Sequence, residues 1–261
     1  MGTQRLQQLF QDKKSDLLSI YITAGYPEID AMPKLIKRLS DKGVDFIEAG
    51  MPYSDPLADG PTIQHSSSVA LKNGINLSLY FKQIAQVRQE VDLPILFMGY
   101  FNQILKTGID KFLQQCEAAG IDGLIIPDLS PEIYQKHYRD IFEKYDLGLV
   151  FLISPTTSDE RIQLIDELSS GFIYVVSSSA TTGKTGGFGQ EHLQYFEKIK
   201  TMPLKNLTMI GFGIDSADKY KTACRYANGA IIGSAFIKAL NHENYLKTAS
   251  DFVKKIKKTA L

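Results

Sequence analysis

The sequence predicts an α/β fold closed into a barrel, on three observations. Short runs rich in Ile, Val, Phe and Tyr alternate with longer amphipathic runs along the whole chain. There are eight of each, with no strand-like run left over. The turn after the first run, Thr23-Ala24-Gly25-Tyr26-Pro27, lacks the G-x-G-x-x-G of an open dinucleotide-binding sheet. Strict alternation places a parallel sheet inside a layer of helices. Eight such units match a (β/α)8, or TIM, barrel, and the 261 residues form a single domain of the usual size, roughly 250.

In chain order, Gln4–Lys13 is an amphipathic helix ahead of the barrel, expected to plug its bottom. Leu18–Gly25 is the first strand and Met32–Lys42 its helix, stopped at Gly43. Phe46–Gly50 is followed by Leu79–Val91, and Pro94–Tyr100 by Ile109–Ala119, which ends at Gly120. Gly123–Asp128 leads to Pro131–Tyr145, opened by Ser130-Pro131-Glu132 as cap, first-turn proline and acid. Gly148–Ser154 precedes Asp159–Leu168, capped near Ser158 and followed by Gly171. Phe172–Ser178 pairs with Glu191–Lys200, Leu207–Gly213 with Asp215–Tyr226, and Gly229–Ser234 with Ala235–Leu240. Lys254–Lys258 is the solvated face of a last helix. The connections after the second and sixth strands, 51–93 and 179–206, are the longest and put long loops ahead of their helices. Both leave the C-terminal rim, where barrels of this kind carry chemistry.

Composition narrows the function. Apolar residues make up 44% of the chain, enough for a sizeable core, and 29 basic residues offset 29 acidic ones. That balance gives no electrostatic footprint for nucleic acid or an anionic membrane. No apolar run approaches spanning length and residues 1–10 carry no leader-like stretch, so the expected location is the cytoplasm. Cys116 and Cys224, with His65, His137, His192 and His242, give no metal-ligand spacing. No strand run contains a lysine, which argues against a Schiff-base aldolase.

Two features remain. Gly211-Phe212-Gly213 and Gly233-Ser234 end the seventh and eighth strands, where main-chain N–H groups can grip a phosphate without any Lys or Arg. Gly183-Lys184-Thr185 imitates a nucleotide-binding loop, but Ser178 stands at the motif's first glycine and the glycine-rich run 186–189 follows where a helix should open. A mobile flap fits that segment better. The second feature is the segment Phe46 to Gly60. Alternation puts Phe46, Glu48 and Gly50 on one face of a strand, so an inward Phe46 makes Glu48 an acid among apolar side chains near the catalytic rim. Burial raises a carboxyl's pKa and suits it to carry protons near neutrality. Asp55-Pro56 has the form of a turn, whereas Asp59 lies far enough along the loop to fold back over a ligand.

The run Ile47 to Gln64, I-E-A-G-M-P-Y-S-D-P-L-A-D-G-P-T-I-Q, resembles the signature of the tryptophan synthase alpha subunit family. Y-I-T-A-G-Y-P, Tyr174, G-F-G-I and I-G-S-A occur in the family's order over essentially the whole chain. The resemblance implies retro-aldol cleavage of indole-3-glycerol phosphate to indole and glyceraldehyde 3-phosphate. It implies Glu48 as proton carrier and Asp59 as acceptor for the indole N–H. It implies phosphate contacts at Gly183, Gly213 and Ser234, with Gly211 and Gly233 permitting the approach, and a pocket lined by Tyr21, Tyr100, Tyr174 and Phe212. Thr182 would meet Asp59 as the two loops close. The resemblance also implies a beta-subunit partner in an alpha2beta2 complex, reached on the side of Asp55, that holds pyridoxal phosphate and receives indole; no cofactor is expected in this chain. Two other readings stay open at this point: a phosphosugar isomerase on the same barrel, and a barrel kept as a non-enzymatic allosteric partner.

Overall fold

The computed structural model describes residues 3–56, 59–177, 188–240 and 243–257. In chain order the elements are α1 (Gln4–Asp12), β1 (Leu17–Thr23), α2 (Ala31–Asp41), β2 (Phe46–Gly50), α3 (Pro61–Lys72), α4 (Leu77–Val87), β3 (Ile95–Met98), α5 (Phe101–Thr107), α6 (Ile109–Ala119), β4 (Gly123–Ile125), α7 (Pro131–His137), α8 (Arg139–Lys144), β5 (Leu149–Val150), β6 (Leu152–Ile153), α9 (Asp159–Leu168), β7 (Phe172–Val176), α10 (Gln190–Thr201), β8 (Leu207–Gly211), α11 (Ala217–Tyr226), β9 (Gly229–Ile232), α12 (Ser234–Ala239) and α13 (Tyr245–Lys257).

All strand pairs are parallel, in the order β5-β4-β3-β2-β1-β9-β8-β7-β6. The two ends of that order, β5 and β6, are halves of the fifth strand-like run, interrupted at Phe151. Its carbonyl accepts the Tyr174 N–H at 3.0 Å, so the ladder continues around the cylinder. This is the TIM-type α/β barrel read from the alternation of the sequence.

Alternation also sorts the side chains. On β1 and β2, Ile20, Ile22, Ile47 and Ala49 pack outward against the helices. Leu17 and Phe46 point inward and join Leu96, Ile125, Val150 and Phe172 in the barrel interior. Leu6 and Phe10 of α1 close that interior from the N-terminal end. The Phe10 ring meets Phe46 at 6.2 Å and Phe172 at 6.1 Å, both edge to face.

A recurring device pins the N-terminal rim. Asp45 stands just before β2 and accepts the Leu18 N–H of β1 at 2.7 Å. Asp122 stands before β4 and accepts the Ile95 N–H of β3 at 2.8 Å. Asn228 stands before β9 and accepts the Thr208 N–H of β8 at 2.8 Å. Each side chain satisfies a strand-end donor that the parallel ladder leaves over. Asp122 is also held by Arg88 at 2.7 Å and Arg5 at 3.0 Å.

Several boundaries differ from the sequence reading. The segment 51–93 holds two helices, α3 and α4, where one was expected. Pro131–Tyr145 is two helices broken at Tyr138. The strand-like composition of Pro94–Tyr100, Gly123–Asp128 and Leu207–Gly213 runs past the end of each ladder into the rim, because apolar and glycine residues there line a site rather than pair with neighbours.

Candidate active site

β2 carries Glu48 into the barrel. Register places it opposite Tyr21 on β1 and Leu96 on β3. The side chain is 0% exposed, and neither carboxyl oxygen has a hydrogen-bond partner. Burial without a counter-charge pushes its pKa up to about 8, so the neutral acid predominates at pH 7.

Two phenols stand around it. Tyr174 comes from β7 and Tyr21 from β1, and both are raised above the ordinary tyrosine range, first by burial and then by the nearby charges of Glu48 and Asp59. Glycine makes room for each ring. A Cβ on Gly50 would lie 2.1 Å from the Tyr21 hydroxyl, and one on Gly211 would lie 2.4 Å from Tyr174. Gly211 thus serves the packing of a pocket aromatic, a reason distinct from the close phosphate approach that the resemblance implied. At Gly233 a Cβ would make only ordinary contact, 3.5 Å from Tyr21.

Asp59 approaches from the loop after β2. Its main-chain carbonyl accepts from the Gln64 amide on α3 at 2.8 Å, and Gly60-Pro61 starts that helix immediately after it. The Tyr100 hydroxyl donates to Asp59 Oδ2 at 3.1 Å. Partial burial raises the Asp59 pKa, and the Tyr100 bond works against that rise. Tyr100 is itself anchored. It opens α5, whose next N–H, that of Phe101, donates to Asp128 at 2.9 Å, while the Gln103 amide grips Pro52 O at 2.8 Å. Asp128, at the end of the fourth strand-like run, thus caps the helix that positions Tyr100.

Tyr21, Met51, Asp59, Met98, Tyr100 and Phe212 are among the residues that line one cavity at this mouth. Phe212 is an exposed aromatic with φ +67°, followed by Gly213 at φ +70°. A left-handed phenylalanine is strained. The Ser177 hydroxyl holds it by donating to Phe212 O at 2.8 Å, and its ring centroid is 6.0 Å from that of Tyr174. Gly233 precedes α12 and Ser234 is its exposed first residue. Thr182, Gly183 and the rest of the flap, 178–187, lie outside the described residues. Asp55 is exposed and bonded to its neighbour Ser54, as a turn former is.

The structure brings Glu48, Asp59, Tyr21, Tyr100, Tyr174 and Phe212 to one end of the barrel, with the Gly211–Gly213 and Gly233–Ser234 turns on the same rim. Sequence reasoning missed Met98, Ser177 and the role of Gly50. Inward alternation on β3 signals the first; the other two depend on a long-range contact that no local pattern carries. A larger open hollow, lined by residues such as Gln4, Gln8, Asp45 and Asp92, belongs to the opposite rim. Among the described residues no cluster of His, Cys, Asp or Glu is arranged to hold a metal, and no helix is long and apolar enough to cross a membrane.

Comparison with known proteins agrees with this geometry. A family profile described as tryptophan synthase alpha chain matches residues 6–260. Two curated relatives so named, from Christiangramia forsetii and Flavobacterium psychrophilum, are 52% and 51% identical, each over 96% of this chain and 97% and 98% of their own. A Legionella pneumophila tryptophan synthase subunit alpha structure superposes with a TM-score of 0.87 at 32% identity, covering 98% of this chain and 96% of that one. A chain of the tryptophan synthase complex from Pyrococcus furiosus gives 0.85 at 31%, covering 94% and 98%. The chain belongs to the tryptophan synthase alpha chain family, lyases that cleave indole-3-glycerol phosphate in tryptophan biosynthesis.

Proposed function

We propose that Glu48 and Asp59 perform the cleavage, acting as one acid–base pair across the barrel mouth. Neutral Glu48 gives its proton to indole C3, and Asp59 accepts the ring N–H and offsets the positive charge that then develops. The Glu48 carboxylate next removes the proton of the glycerol hydroxyl beside the ring. That oxygen becomes a carbonyl, the carbon–carbon bond breaks, and its electron pair restores the indole. Glu48 ends protonated, as it began. The protonated ring is the electron sink, which is why two carboxyl groups suffice.

One observation carries the reading: an inward carboxyl, fully buried at the catalytic rim, with both oxygens unpartnered. A structural acid would be satisfied by neighbours. The glycine turns after β8 and β9 suit the phosphate, held by the main chain at Gly213 and Ser234 and, beyond the described residues, at Gly183. Tyr21, Tyr174 and Phe212 enclose the ring. Indole release from indole-3-glycerol phosphate tests the pair: Glu48→Gln, with an unchanged circular dichroism spectrum, loses roughly 10²–10⁴-fold in kcat. Full turnover by that variant would refute the assignment.

The proposal extends to assembly. Residues 1–261 act as one catalytic unit in the cytoplasm, docked on a beta subunit in an alpha2beta2 complex. The partner holds pyridoxal phosphate and takes up the indole; no cofactor is assigned to this chain. Leu105 on α5 and Ile133 on α7 support such docking, being large apolar side chains 48% and 46% exposed on short helices that leave the catalytic rim. A beta subunit from the same source should raise lyase turnover, and Leu105→Asp should weaken that response.

A further inference from the structure

Ser19 is an anomaly in the barrel interior. It sits on β1 between Leu17 and Tyr21, on the inward face, and is 0% exposed. Its surroundings at that level are apolar, with Phe46 and Ile231 as its register partners on the flanking strands. Its hydroxyl has no hydrogen-bond partner. A buried hydroxyl left unpaired is unfavourable, and buried polar groups that lack a protein partner ordinarily bind water.

The nearest inward polar group by topology is Glu48. Ser19 registers with Phe46 and Tyr21 with Glu48, so Ser19 and Glu48 are diagonal neighbours on one face of adjacent strands. Such diagonals are roughly 7–8 Å between backbones. Allowing for the reach of the two side chains, that gap matches the span of one bridging molecule. Three unpartnered buried polar atoms, Ser19 Oγ, Glu48 Oε1 and Glu48 Oε2, therefore belong to diagonal neighbours on one inward face.

We infer that the barrel interior holds a water molecule between the Ser19 hydroxyl and the Glu48 carboxyl, and that Ser19 is a positioning residue for Glu48. This rests on the reading of Glu48 as the proton carrier. The water donates to the carboxylate when Glu48 is ionised and accepts from the carboxyl when it is neutral. It thus supports both states through the cycle and orients the group between C3 and the hydroxyl. The other titratable groups facing Glu48 are Tyr21 from β1, Tyr174 from β7 and Asp59 from the loop after β2; β3 contributes only Leu96 and Met98.

A hydrogen bond to the carboxylate is stronger than one to the neutral acid, so losing the water disfavours the ionised form more. In the ligand-free full-length protein, the infrared carbonyl band of neutral Glu48, identified by its absence in Glu48→Gln, should titrate about one pH unit higher in Ser19→Ala than in wild type. Ser19→Thr should restore it. The basic limb of kcat should move by the same amount, with KM unchanged. A high-resolution structure should show the water within hydrogen-bond distance of both groups. Coincident titrations in wild type and Ser19→Ala, or density showing Ser19 Oγ bonded to a main-chain carbonyl, would overturn the inference. Full turnover by Glu48→Gln with a displaced Ser19→Ala band would leave the water site standing and remove only the catalytic reading.

Discussion

At the N-terminal rim of the barrel, Asp122 receives Arg88, Arg5 and the Ile95 N–H; Asp45 receives Lys13 and the Leu18 N–H. Midway along β2, above that rim, Glu48 is as buried as Asp122 and receives nothing from the protein. The same side-chain chemistry holds strands together at one end and is left without a protein partner further along the barrel. An acid without protein partners is ready to move protons; one held by two arginines and a main-chain N–H is fixed in place and chemically inert. The division of labour between rims is thus visible in hydrogen-bond partners alone.

The largest expected effect breaks this contrast at Glu48. Beyond the rate loss, Glu48→Gln should stabilise the protein at alkaline pH. A carboxyl whose folded pKa is about 8 against an ordinary 4.5 keeps its proton in the native state while the unfolded chain releases one. Native stability therefore falls as pH rises from about 4.5 to about 8, by on the order of 5 kcal/mol in full. Urea unfolding across that range should show the slope in wild type and a flatter profile in Glu48→Gln. Equal slopes would mean that the native state does not hold the Glu48 proton more tightly than the unfolded chain does.

Asp122→Ala is the converse experiment. Removing one partner of a buried ion pair leaves Arg88 without its counter-charge, at a cost of about 3–5 kcal/mol. Turnover below the melting temperature should stay within a few-fold of wild type. A large loss of kcat in a folded Asp122→Ala protein would deny the separation of the rims.

This separation also explains what was legible in the sequence. Eight strands were readable because each buried run is bounded by glycine or polar turns, and Glu48 was readable because a lone acid in an apolar run breaks its pattern. The helix α3 was not, since Ser66-Ser67-Ser68 interrupts its apolar spacing; its burial rests on tertiary contacts such as the 2.8 Å Thr23–Ser66 hydrogen bond. The role of Asp122 carried no local signal, because its two arginines come from 117 and 34 positions away. Local pattern reports which groups are buried. It does not report who satisfies them.

A smaller effect is expected at Gly50, where the catalytic rim depends on space instead of charge. Gly50→Ala places a methyl 2.1 Å from the Tyr21 hydroxyl, which the ring must vacate. Overpacking of this kind costs about 1–3 kcal/mol. Because the displaced ring lines the cavity, KM for the indole substrate should rise as well, which steady-state kinetics beside a thermal melt would show. A destabilised variant with unchanged KM would place Tyr21 outside the binding surface.

Tyr100→Phe is the mildest test and the most specific to the link between the two acids. It removes one hydroxyl, 3.1 Å from Asp59, and leaves the ring that stacks at 5.0 Å on Tyr53. A hydrogen bond to a charged group contributes about 1.5–3 kcal/mol, and exposure at the pocket mouth places this one at the low end, about a tenfold loss in kcat/KM. The direction with pH is determined. Burial already raises the Asp59 pKa and the Tyr100 bond restrains it, so its removal lets the pKa climb further. Asp59 must be ionised to accept the indole N–H and balance the charge on the ring. The acid limb of kcat/KM should therefore move to higher pH in Tyr100→Phe, with the loss growing as pH falls and shrinking above neutrality. A uniform loss at every pH would instead make Tyr100 a contact to the substrate and leave Asp59 unassisted, so the profile separates a residue that tunes an acid from one that binds the ring.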